Sequence, residues 1–145
     1  MNIPNKNIPG KHVLGDAFVR ENAVVSGEAV VEGEAKVYGR AKVYGDAVVE
    51  GDAVVYGYAL VSGEALVSGN AKVNGTAWVS GRAIVRDNAH VYGKATVYSH
   101  AVVGGDAIIE GNAKIGGDAE ILGGVWDGSE GEITSGRWMA PGIPA

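Results

Sequence analysis

From Ala17 to Ala119 an alanine stands at every sixth position without exception. A branched aliphatic residue follows each alanine two places later, as valine from Val19 to Val103 and then as Ile109, Ile115 and Ile121. The residue between the two varies freely, from Lys36 to Trp78 to His90. Alternation with a period of two places alanine and aliphatic on one side of an extended strand and the variable residue on the other. It excludes an amphipathic helix, whose apolar positions recur at three and four. Glycine stands two places before each alanine except at Glu21, Asp87 and Ser99, and glycine is the residue for which a positive φ costs least. The unit G-x-A-x-[VI]-x is therefore a short strand and a bend, repeated eighteen times between Gly15 and Leu122. A single unit cannot bury its apolar face, so the units are expected to coil and stack.

This repeat resembles the hexapeptide-repeat proteins, whose fold is a left-handed parallel β-helix. The resemblance rests on the uninterrupted units of residues 13–122. It implies three units per turn, left-handed coiling, about six turns and commonly a homotrimer. The chain departs from the family in one respect: the small residue usual directly after the aliphatic is replaced by Tyr, Ser or Glu, with glycine one place later. The expected fold class is all-β, a three-sided solenoid with a short C-terminal hairpin. Residues 1–12 are expected to be a lead-in or cap, 13–122 the β-helix and 123–145 a capping tail. In that tail, Val125-Trp126-Asp127 and the segment from Ile133 to Trp138 are read as a small hairpin over the last turn, since a bare sheet edge invites strand addition.

Composition narrows the function classes. At 145 residues the chain has the size of one domain. Its 24 glycines lack a three-residue period, which excludes collagen. The absence of cysteine removes disulfides, thiolate metal sites and a thiol nucleophile, and it fits a reducing compartment; similar uninterrupted solenoids of bacteria and phages imply the cytoplasm of a bacterium or phage-infected cell. No apolar run reaches the length of a signal peptide or a membrane span. A net charge of −5 argues against binding long nucleic acids but leaves room for a local basic site.

Three units per turn would stack residues eighteen apart at the strand spacing of about 4.8 Å. One outward column then reads Val30, Val48, Leu66, Ile84 and Val102. Solvated sheet faces carry polar residues there, so this stripe is expected to be an oligomer interface. The corner leading into it reads Glu28, Asp46, Glu64, Arg82, His100 and Asp118, with Glu32 and Glu50 on the far side. The other faces carry bases and rings. The second turn presents Lys36, Tyr38, Arg40, Lys42 and Tyr44, the fifth His90, Tyr92, Lys94, Tyr98 and His100, and Tyr56, Tyr58 and Trp78 lie between. Bases alternating with tyrosines can hold a phosphate while a ring stacks on a planar group. The competing reading is ordinary strand cover, in which tyrosine and lysine serve only propensity and solubility.

Among enzymes, the resemblance points first to acyl transfer with a histidine base. Those transferases usually extrude a catalytic loop from the solenoid, and no insertion interrupts these repeats. A three-histidine metal site does not match the spacing of His12, His90 and His100. The expected function is accordingly a non-catalytic homotrimeric binding protein. It would need no metal or cofactor, touch no membrane, and hold a small anionic, nucleotide-like ligand in clefts between subunits, as a sequestering protein of a bacterium or phage would. An acyltransferase and a rigid structural spacer are the alternatives.

Overall fold

The computed structural model describes residues 13–145; the lead-in expected over 1–12, with His12, lies outside them. In every repeat the outward residue and the aliphatic after it form a two-residue strand, β1 to β18, from Phe18–Val19 to Glu120–Ile121. Each strand pairs in parallel with the one three units on. Phe18 thus lies beside Lys36, Val24 beside Lys42 and Val30 beside Val48. That eighteen-residue register produces three parallel sheets. The first face carries Phe18, Lys36, Val54, Lys72, His90 and Ile108 outward. The second carries Val24, Lys42, Leu60, Trp78, Thr96 and Lys114, and the third Val30, Val48, Leu66, Ile84, Val102 and Glu120. The chain is a parallel β-solenoid of hexapeptide repeats.

The interior follows from the unit. Every repeat alanine and every repeat aliphatic is buried, so the core is a continuous column of small and medium side chains from Ala17 to Ile121. At each corner a backbone turn closes, as where the Ala23 N–H donates to the Arg20 carbonyl at 3.2 Å. The residue after Arg20 has positive φ and the next does not, the sign pattern of a type II′ turn, which favours glycine at its first central position. The three exceptions keep this backbone, with φ of 60° at Glu21, 59° at Asp87 and 54° at Ser99. In two of them the side chain takes up an amide of the next turn. The Gly39 N–H donates to Glu21 Oε1 and the Gly105 N–H to Asp87 Oδ2, both at 2.9 Å.

The tail corrects one expectation. Val125-Trp126-Asp127 and the Ile133–Trp138 segment do not pair with each other. Strand β19 (Val125–Trp126) adds in parallel to Ile108–Ile109 on the first face, Ile133 bridges Ile115 on the second, and β20 (Arg137–Ala140) adds to Glu120–Ile121 on the third. The tail is a seventh turn, and the hairpin forms beyond it, between β20 and the antiparallel β21 (Ile143–Pro144). A full turn meets the open backbone groups of all three sheets, whereas a hairpin on one face would leave two edges bare. Trp126, Ile133 and Trp138 occupy the inward positions of this turn in place of the repeat aliphatics, and the two indoles meet edge to face at 6.3 Å. Among the described residues no helix is long and apolar enough to cross a membrane.

Candidate functional site

The residue directly after each aliphatic ends up on an edge of the solenoid, where the departure from the family pattern places large side chains. On the edge between the first and second faces this column reads Arg20, Tyr38, Tyr56, Asn74, Tyr92 and Glu110. Register sets these residues one above another. Tyr38 stacks on Tyr56 with ring centroids 5.1 Å apart and planes 7° from parallel. The Arg20 guanidinium lies 4.1 Å from the centroid of the Phe18 ring, and the Lys36 ammonium 5.6 Å from the same ring. Phe18, Arg20, Glu21, Lys36 and Tyr38 line a shallow cleft of about 390 Å³. Beside it Asn22, Arg40, Lys42 and Tyr58 line an open hollow of about 500 Å³, with the Arg40 guanidinium 5.8 Å from the Tyr58 ring.

The electrostatics of this edge favour an anion. Arg20, Lys36, Arg40 and Lys42 line the two hollows, against the single carboxylate of Glu21, which already accepts the Gly39 N–H. The buried Nε of Arg20 has no hydrogen-bond partner among the described residues. Burial first, then the neighbouring Tyr56 and Glu21, push the Tyr38 hydroxyl above its ordinary pKa and keep it a neutral donor. Lys36, Tyr38, Arg40 and Lys42 are thus brought together on one edge. Tyr44 projects from the opposite end of the second face. Phe18 and Arg20 escaped the sequence reading, although both carried a signal: Phe18 is the chain's only phenylalanine and stands at an outward position, and Arg20 lies eighteen residues before Tyr38.

The residues of the fifth turn are distributed differently. His90, Tyr92 and Lys94 lie along the same edge, about three strand spacings or 14 Å further along the axis. Tyr98 and His100 belong to the edge between the second and third faces. Several of these side chains are engaged within the chain. The Asn74 amide lies 3.0 Å from His90 Nε2, the His90 and Tyr92 rings are 4.5 Å apart, and the Tyr92 hydroxyl donates to Glu110. The Tyr98 ring occupies the space a Cβ on Gly116 would fill, so the glycine there seats the ring. Among the described residues no group of three or more His, Asp or Glu is placed to hold a metal ion.

Burial, then the charge of Lys72, lower the pKa of His90 below its ordinary 6.5, with Glu110 opposing. The sign follows by linkage. A histidine whose folded pKa is depressed contributes stability above its unfolded pKa and loses it as pH falls through that value toward the folded one. In an NMR titration the His90 resonance should therefore move below the ordinary 6.5, and Lys72→Gln should move it upward. A His90 midpoint above 6.5, or one untouched by Lys72→Gln, would contradict this environment.

No curated protein and no solved structure matches the chain significantly. Residues 41–57, almost one full turn through the second and third faces to the next first-face strand, match the family model described as the YdcK beta solenoid repeat. In this turn the chain is similar to that repeat, and the match agrees with the parallel solenoid around it.

Proposed function

We propose that the protein binds a small anion carrying a planar group, without catalysis, at the edge between the first and second faces in its first turns. The observation that carries this reading is Arg20. Its guanidinium is held against the Phe18 ring at 4.1 Å and its buried Nε is unpaired among the described residues, in a cleft shared with Lys36 and Tyr38. A buried donor without an acceptor costs free energy that a bound oxyanion would recover. The Tyr38–Tyr56 stack beside it is the platform on which a base or similar ring would lie. The lining supplies charge and aromatic surface, while its one carboxylate is committed to a backbone amide, which supports retention of a ligand rather than its conversion.

Thermal shift with nucleoside monophosphates, cyclic nucleotides, sugar phosphates and acyl-CoA tests the proposal. A nucleotide at about one hundred times its Kd should stabilise the fold by about 2.7 kcal/mol. Arg20→Ala or Lys36→Ala should abolish the shift, and Lys94→Ala in the fifth turn should leave it. No shift with any probe would favour a structural spacer. A shift with acyl-CoA alone, accompanied by turnover, would favour a transferase.

A further inference from the structure

The third face lies away from that edge and has its own pattern. Val30, Val48, Leu66, Ile84 and Val102 align in direct register as a stripe of partly exposed aliphatics. Four strand spacings, about 19 Å, separate its ends. The side chains flanking the stripe are segregated by sign along the axis. Beside Val30 stand Glu28 and Glu32, beside Val48 Asp46 and Glu50, beside Leu66 Glu64, beside Ile84 Arg82 and Arg86, and beside Val102 His100. Glu32 and Glu50 are neighbours on successive turns. Burial first, then a hydrogen bond with Glu32 and its charge, push the Glu50 carboxyl above its ordinary pKa, and neither acid has an ion-pair partner among the described residues.

We propose that two copies of the chain join through this face in an antiparallel dimer, with Leu66 on the two-fold axis. The stripe is centred on Leu66, so reversal of one copy sets Val30 against Val102 and Val48 against Ile84 while every aliphatic keeps an aliphatic opposite. The axis lies along the strands, and each flanking column meets its own reversed copy. Asp46 then faces Arg82 of the second copy, Glu50 faces Arg86 and Glu28 faces His100, the same contacts recur across the axis, and the two Glu64 side chains meet at it, each held at 2.8 Å by Arg82 of its own chain. In a parallel two-fold dimer through the same face, turns of equal height meet. Acids at the levels of Val30 and Val48 would then oppose acids, and Arg82 would oppose Arg86. Like charges in contact disfavour a partner as strongly as complementary ones select it.

The two guanidiniums remain available. Arg82 contacts Glu64 at 2.8 Å with its side chain 67% exposed, and Arg86 lies 3.6 Å from Asp87 and 3.9 Å from Glu120 with 44% exposed. Five donors per guanidinium leave room for a second carboxylate. Five turns of a face some five residues wide give a footprint of roughly 24 by 16 Å on each copy, below the size of a standard specific interface and in the weak, transient class. The dimer is therefore concentration-dependent, and its charge pairs make it sensitive to salt.

Sedimentation across concentration and salt should show monomer and dimer, with the Kd rising as salt is added. Arg82→Glu and Asp46→Arg should each raise the Kd at least tenfold, and the double variant, which restores opposite charges across the axis, should recover most of the loss. The chain has no cysteine, so single introduced thiols report geometry. With a short bis-maleimide, Leu66→Cys should cross-link to itself. Val30→Cys should cross-link to Val102→Cys in a mixture but not to itself. Self-linking of Val30→Cys, a trimer, a chain monomeric at millimolar concentration, or a double variant no better than the singles would each overturn the proposal. Melting temperatures of the variants at low concentration separate lost assembly from lost fold.

Discussion

Gly63→Val is expected to destabilise the solenoid by about 2–5 kcal/mol, adding about 1–2 for a side chain in the left-handed region and about 1–3 for overpacking. Gly63 has a φ of +65°, and a Cβ there would stand 2.8 Å from the carbonyl oxygen and 2.9 Å from the amide nitrogen of Gly81 on the next turn. Neither atom can yield, because both belong to the corner backbone, where the Glu64 N–H donates to that same Gly81 carbonyl at 2.7 Å. A β-branched side chain adds the worst fit to positive φ. Turns contact only their neighbours, so a defect in mid-stack severs two halves rather than fraying one end. Thermal melting should show a drop of roughly 5–20 °C, and limited proteolysis should cut near this corner. An unchanged melting temperature would show that the corners tolerate side chains freely. In that case the positive φ at Glu21, Asp87 and Ser99 would need no glycine elsewhere to explain it.

Trp126→Ala is expected to cost about 3–5 kcal/mol, the usual range for removing a buried large aromatic. Trp126 is 1% exposed, the largest fully buried side chain among the described residues, and its indole N–H donates to the Gly123 carbonyl at 2.8 Å. It closes the end of the alanine–aliphatic column above Ile109. Alanine would leave that column open and loosen the seventh turn, baring strand edges that pair with other chains. Trp138, which is only half-buried and whose indole N–H donates to the Ser135 carbonyl at 2.9 Å, should cost less on the same substitution. Urea unfolding reads the stability difference, and light scattering on mild heating reads the exposed edges. Equal small losses for both tryptophans would show that the tail merely rests on the solenoid.

Much of the fold was legible because its causes are local and repeated. Ala17 and Val19 declare a strand, Gly15 before them a bend, and eighteen repetitions leave little room for another arrangement. The tail was misread because Val125-Trp126 and Ile133 lack the alanine and spacing of the unit, while their pairing depends on the open edges of Ile109 and Ile115 beneath them. At the site, Lys36, Tyr38, Arg40 and Lys42 stood out as a run. Arg20 and Phe18 join them only through the eighteen-residue register.

What the sequence by itself determined is the alternation of inward and outward positions and the bend at every sixth residue; the columns of charge and aliphatics followed once the family resemblance implied three units per turn. Backbone sterics and the hydrophobic effect act on each hexapeptide in the same way, so the repeat states them openly. The tertiary structure alone decided what each outward side chain meets: that Tyr38 lies flat on Tyr56 while Tyr98 is seated on Gly116, and that Arg20 has a buried donor beside Lys36 with no partner among the described residues. Those outcomes depend on the particular residue one turn away and on the volume left between the turns, and both are properties of non-local packing.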